Sequence, residues 1–317
     1  MNMPVAVRTN EELDESLLLG HILFMTVDEL KVHKDDLASL FAKHSLSSSF
    51  LPNEIKPHDA YRRASSKAAQ SIEVNYNGSV QKARLMVREV KKDNDKVHRH
   101  LIRELIDEKN IATEYATVGK MIFNRSTEMM EIDWDRSYLG EYNYTQVLIE
   151  TQDLFSEWTQ FHTKDTVRNI VNKVVKSTHP VSIMQGGRAQ FIPKLNRDIL
   201  FNLRNMVREL PGASVAEIIP MIDTVDQREL ITKNLEREVL ADVDTLLGDF
   251  AELLKNSSVR AGQVKRYAAA FVELQEKTAK YEGLLSSKMD VLQRQLGQAL
   301  SKIQSTPVED GEAISEA

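Results

Sequence analysis

Between residues 71 and 136 apolar and polar residues alternate with a period of two, the spacing that sends successive side chains to opposite faces of a strand. SIEVNYNGS ends in Asn77-Gly78, the strongest short hairpin signal. KARLMVREV then sets Ala83, Leu85 and Val87 opposite Arg84 and Arg88, and a second turn follows at KKDND. In VHRHLIRELI, Val97, Leu101 and Leu105 fit either a strand or a helix. The alternation in IATEYATVGKMIF and, after the turn NRSTE, in MMEIDWD favours strand. The pattern predicts an antiparallel meander of four or five strands with one face buried.

On either side of the meander the period is helical. The first forty-odd residues read as helix, with Thr26 and Glu29 as a capping box and Leu30, Leu37, Leu40 and Phe41 at helical spacing. A serine-rich linker leads to PHDAYRRASSKA, where Pro57 and Asp59 suit the first turn of a short basic helix. Beyond the meander, Val147, Leu154, Phe155, Trp158 and Phe161 form one apolar stripe, and Val167, Ile170, Val171 and Val174 form a second. SIMQGGRAQFIPK predicts a strand entering from a tight turn and closing the sheet, and NRDILFNLRNMVREL a helix capped by Asn196.

The last third is helical almost throughout. After a capping box at Thr224 and Gln227, Ile231, Leu235, Val239, Val243, Leu246, Phe250 and Leu253 keep helical spacing, and NSSVRAG breaks the pattern. Val264, Tyr267, Phe271, Leu274, Thr278, Tyr281 and Leu285 then fall at steps of three and four. Met289, Leu292, Leu296 and Ile303 resume this heptad seam after one extra residue. At 1.5 Å per residue such a seam spans roughly 60 Å. The two segments predict an antiparallel helical hairpin, and the acidic tail from Thr306 predicts disorder.

Composition narrows the function classes. With 42% hydrophobic residues, 317 residues suffice for a real core. A net charge of −6 makes nucleic acid a less favoured partner, unless basic residues gather on one surface. The absence of Cys removes disulfides and thiolate chemistry, and it fits a cytoplasmic protein. LLLGHILFM at 17–25 is too short for a membrane span and follows an acidic stretch, so neither a signal peptide nor a membrane contact is expected.

Candidate chemistry is sparse. Glu131, Asp133 and Asp135 would share a strand face near His98 and His100, a donor set for a metal only if the strands met in register. The stronger reading is a wet face whose acids pair with the arginines at 84, 88, 99 and 103. Arg62, Arg63 and Lys67, joined by Arg84 and Arg88, form an alternative basic patch for single-stranded nucleic acid. GGRAQFIPK lacks the spacing of a phosphate-binding loop, and no dinucleotide, hydrolase or zincin motif is present. No cofactor is expected.

Three phrases, LPNEIKPHDAYRRASSKA at 51–68, GGRAQFIPK at 186–194 and PMIDTVDQRELI at 220–231, precede a long helical region. In that order they resemble an uncharacterised family found in phage and prophage genomes and in some bacteria and archaea. The resemblance implies a phage-derived protein that modulates a host factor such as a defence system, and it carries no catalytic residues.

The expected fold class is α+β: an antiparallel sheet packed by helices, with a long C-terminal helical hairpin or coiled coil. The expected regions are N-terminal helices over 1–70, sheet and packing helices over 71–223, hairpin over 224–305 and tail over 306–317. The expected function is non-enzymatic protein binding and assembly. The partner or a second copy would meet Val264, Tyr267, Phe271, Leu274, Tyr281, Leu285, Leu292 and Leu296. A single-stranded nucleic-acid binder and a metal-dependent phosphoesterase are the alternatives.

Overall fold

A computed structural model describes residues 15–107, 111–184, 187–256, 260–286 and 289–306 of the chain. In chain order the elements are β1 (Leu18–Thr26), β2 (Lys31–His33), α1 (Lys34–Lys43), α2 (Pro57–Lys67), β3 (Gln70–Tyr76), β4 (Ser79–Lys92), β5 (Lys96–Ile106), β6 (Ala112–Asn124) and β7 (Met129–Trp134). There follow α3 (Tyr144–Gln160), β8 (Phe161–Thr163), α4 (Lys164–Ser177), β9 (Val181–Ser182), β10 (Ala189–Pro193), α5 (Arg197–Arg208), β11 (Val215–Ile222), α6 (Val225–Asn256), α7 (Ala261–Leu285) and α8 (Asp290–Gln304). The protein is α+β, with antiparallel sheets throughout. It divides into two compact units, one of Met1–Leu30, Leu40–Phe50 and Val167–Ala317, the other of Lys31–Ser39 and Leu51–Thr166.

The second unit holds the expected meander, five strands in the order β3-β4-β5-β6-β7, with β2 and β8 as a separate pair. Asn77 and Gly78 both have positive φ, 50° and 77°, as a two-residue hairpin turn requires. Alternation then sorts the side chains: Ala83, Leu85, Leu101, Leu105, Met121, Phe123 and Met130 enter one core with Ala60, Tyr61 and Ala64 of α2 and Val147, Leu148 and Phe155 of α3. At Gly119 an added Cβ would stand 2.6 Å from Leu148 Cδ1, so the missing side chain is what lets α3 approach β6. Tyr61 stacks on Phe123 and its hydroxyl donates to the carbonyls of Val97 and Met121, which ties α2 across two strands.

The first unit corrects the N-terminal expectation. Leu18–Thr26 is a strand, not a helix, and the helix of this region starts only at Lys34. The part of that reading on residues 1–14 lies outside the described residues. In LLLGHILFM the residues from Leu18 to His21 and Leu23 are buried while Leu17 and Phe24 are exposed, and a continuous apolar run carries no period to separate strand from helix. Strand β1 is central in a four-stranded sheet, β11-β1-β10-β9. GGRAQFIPK does supply a strand, β10, but in this second sheet rather than the meander. A Cβ at Gly20 would collide with the Ile192 carbonyl of β10, so only glycine fits the strand spacing there.

Behind this sheet α6, α7 and α8 share one core with Leu19, Val181, Phe191 and Met221. The second arm of the expected hairpin is two helices. α7 stops at Ser286, whose φ of 52° is a left-handed cap, near the extra residue in the heptad pattern. Thr224 Oγ1 accepts from the Gln227 N–H as expected at the start of α6. Asn196 precedes α5 without capping it; its side-chain amide donates to the Thr178 carbonyl instead. The tail from residue 307 lies outside the described residues.

Candidate binding surfaces

The heptad seam closes within the chain. Val264, Tyr267, Phe271, Leu274, Tyr281, Leu285, Leu292 and Leu296 are all buried, packed with Ile231, Leu235, Val239 and Phe250 of α6. Tyr267 sets its ring edge against Phe250, and the Tyr281 hydroxyl donates to the His179 carbonyl at 2.8 Å. These side chains hold the unit together and offer no free face to a partner.

The five-stranded sheet presents another surface. Helices α2 and α3 pack on the face bearing Leu85 and Leu101. The positions that alternate with these point away from both helices. On that outer face Met86 pairs with Ile102, and Ile122 stands between His98 and Glu131. Val80, Tyr115 and Met129 share the face and are 73%, 58% and 64% exposed, although alternation on a wet sheet calls for polar residues there. Arg84 donates to Glu104 at 3.4 Å, Lys120 pairs with Asp133 at 3.4 Å, and Arg88 lies opposite His100. Burial, Lys120 and His98 lower the pKa of His100.

This geometry answers the reading of MMEIDWD as donors. Glu131 and Asp133 are exposed on the outer face, but β6 separates them from His98 and His100, with Ile122 and Lys120 at the intervening positions. Asp135 has left the strand and accepts from the Ser137 N–H and hydroxyl, contacts that lower its pKa. Among the described residues no three His, Asp or Glu side chains form a group able to hold a metal ion.

The arginines expected on one wet face divide between the two. Arg84 and Arg88 are outer, whereas Arg99 and Arg103 point toward the helices. Arg99 donates to the Arg62 carbonyl and the Ser65 hydroxyl, and Arg103 is fully buried between Glu114 and Glu141. Arg62, Arg63 and Lys67 are exposed on α2, with Arg63 5.2 Å over the Trp158 ring. The basic residues of α2 and those of β4 therefore lie on opposite faces of the sheet and form no single patch.

Sequence reasoning missed a cavity of about 360 Å³ in the first unit, largely apolar but holding a charged cluster, where α6 and α7 meet the chain following α4. Lys277 pairs with Glu238 at 2.6 Å, and the other Glu238 oxygen accepts from the Ser182 N–H at 2.9 Å. Burial, reinforced by Glu238, raises the pKa of Asp242; burial and then Lys280 lower that of His179. Both Glu238 oxygens are used by the chain itself, so the cluster fastens β9 to two helices. The signal was weak: acids four apart in α6 and a lysine at a nearly buried position of α7.

Among the described residues no helix is long and apolar enough to cross a membrane. No curated protein and no solved structure matches the chain. One family model matches residues 18–311, a span that takes in all three sheets and all three C-terminal helices, and the chain thus belongs to that family, a family of unknown function (DUF6744).

Proposed function

We propose that this is a non-catalytic binding protein that receives a protein partner on the outer face of its five-stranded sheet. The observation that carries the reading is the set Val80, Met86, Ile102, Tyr115, Ile122 and Met129 on a face that neither α2 nor α3 covers. Tyr, Met and Arg side chains in a partly apolar surface are the composition of protein interfaces. Charges of both signs are interleaved on the face: Lys82, Arg84, Arg88, Lys91, Lys96 and Lys120 stand among Glu73, Glu104, Glu131 and Asp133. Arg84, Lys91 and Lys120 are already paired with Glu104, Asp93 and Asp133, which supports a protein partner over a nucleic-acid backbone, whose binding needs free cations. The resemblance to a phage and prophage family makes a host factor, such as a component of a defence system, the partner class we favour.

The test is affinity capture of tagged wild-type protein beside an Ile102→Lys, Tyr115→Ala variant, with mass spectrometry of what copurifies. A stoichiometric protein held by wild type and by a Lys67→Gln control on α2, and lost by the face variant, is expected. A partner retained by the face variant, or salt-sensitive nucleic acid alone, contradicts the reading.

A further inference from the structure

LPNEIKPHD, the first of the three phrases that carry the family resemblance, does not contribute to the outer sheet face. It lines a separate cavity of about 670 Å³ in the second unit, within the size range of small-molecule sites. Lys34, Lys56 and Arg125 project into its lining, and none of the three makes an ion pair with a described carboxylate. The Arg125 Nε is buried without a hydrogen-bond partner, which is costly unless something from outside the chain accepts from it. Glu54 and Glu128 also line the space, so three fixed cations face two carboxylates. The wall is completed by Ile55 and Pro57, and by His58, whose ring lies 5.9 Å from the buried ring of Phe123 behind it.

A further feature favours an anion. Helix α2 starts at the cavity with Pro57, and no side chain caps it; the Asp59 and Ala60 N–H groups donate to the Lys56 carbonyl, which leaves the His58 N–H and the positive end of the helix dipole at the lining. The pKa of His58 is lowered, by burial first and then by Arg125, with Asp59 opposing and Lys92 and Arg62 adding to the lowering. Three lining cations against two carboxylates, beside Ile55 and Pro57, fit a ligand with an anionic end and a partly apolar remainder.

We infer that this cavity binds a phosphorylated small molecule of nucleotide size, the phosphate received by Lys34, Lys56 and Arg125 and the remainder laid along Ile55, Pro57 and His58. This goes beyond the protein-binding reading and stands on different residues. Calorimetric titration of the full-length protein with inorganic phosphate, adenosine 5′-monophosphate and adenosine tests it. The monophosphate is expected to bind, adenosine to bind at least tenfold more weakly, and Arg125→Gln to weaken the monophosphate at least tenfold, with Lys67→Gln unchanged. Lys34→Gln serves as a second variant if Arg125→Gln unfolds. Failure of both phosphate probes, equal binding of adenosine, or an oligonucleotide that outcompetes the monophosphate with a steep salt dependence overturns the inference. Capture of a protein partner is expected to survive Arg125→Gln, so either reading can fail without the other.

Discussion

Arg103 occupies a strand position that alternation assigns to the core, and its guanidinium is fully buried. One Nη donates to Glu141 and the other to Glu114, while the rings of Tyr76 and Tyr138 lie 5.1 and 5.5 Å from its Cζ. Tyr76 in turn donates to Glu114 and Tyr144 to Glu141, so both carboxylates are anchored. Burying the cation is costly, and the two carboxylates offset that cost only while the fork is intact. Arg103→Ala, which strands Glu141, is expected to destabilise the protein by about 3 kcal/mol in urea unfolding. Arg103→Lys should recover only part, because an ammonium cannot serve two carboxylates in a plane. Parity already places Arg99 and Arg103 with Leu101 on the inner face. Their charge argues for water, and only the partners supplied by Glu114, Glu141 and the α2 hydroxyls decide between the two.

Among the elements, those whose ends are punctuated were legible. Asn77-Gly78, KKDND and NRSTE mark three of the four connections between the five strands. β1 was not legible, since nine mostly buried residues show neither period. The heptad seam was legible as a seam but not as two helices, because a single extra residue in the pattern does not by itself announce the left-handed stop at Ser286. Relieving that conformation with Ser286→Gly should raise stability by about 1 kcal/mol, read from the denaturation midpoint. Phe271→Ala, which empties a fully buried site between α6 and α7, should cost about 3 to 5 kcal/mol. If the seam instead met a partner, Phe271→Ala would weaken binding while leaving the free protein's unfolding midpoint unchanged.

At the scale of the whole molecule the units interleave in sequence, and that arrangement was beyond local pattern. The four-stranded sheet draws on Leu18–Thr26, Val181–Ser182, Ala189–Pro193 and Val215–Ile222, strands whose pairing no short-range signal records. The outer sheet face was legible as alternation, but the absence of α2 and α3 from it is a fact of packing. Acid sensitivity is also a property of the whole. Burial is the first cause of a lowered pKa at His21, His58, His100, His162 and His179, five of the eight histidines. Below the unfolded value of about 6.5 the unfolded chain binds more protons than the folded one, so stability falls as pH falls. Asp242, whose pKa is raised, works in the opposite sense as a single group. The melting temperature should therefore be lower at pH 5.5 than at pH 7.5, and an equal or higher value would refute this assignment.

Side-chain footprinting by hydroxyl radicals, on the free protein and on the captured complex, tests the central claim most directly. Tyr115, Met86 and Met129 are predicted to be modified in the free protein and protected in the complex, with Tyr281 and Phe271 unmodified in both. Modification of Tyr281 and Phe271 in the free protein, followed by their protection in the complex, would return the partner to the helical seam and contradict the account.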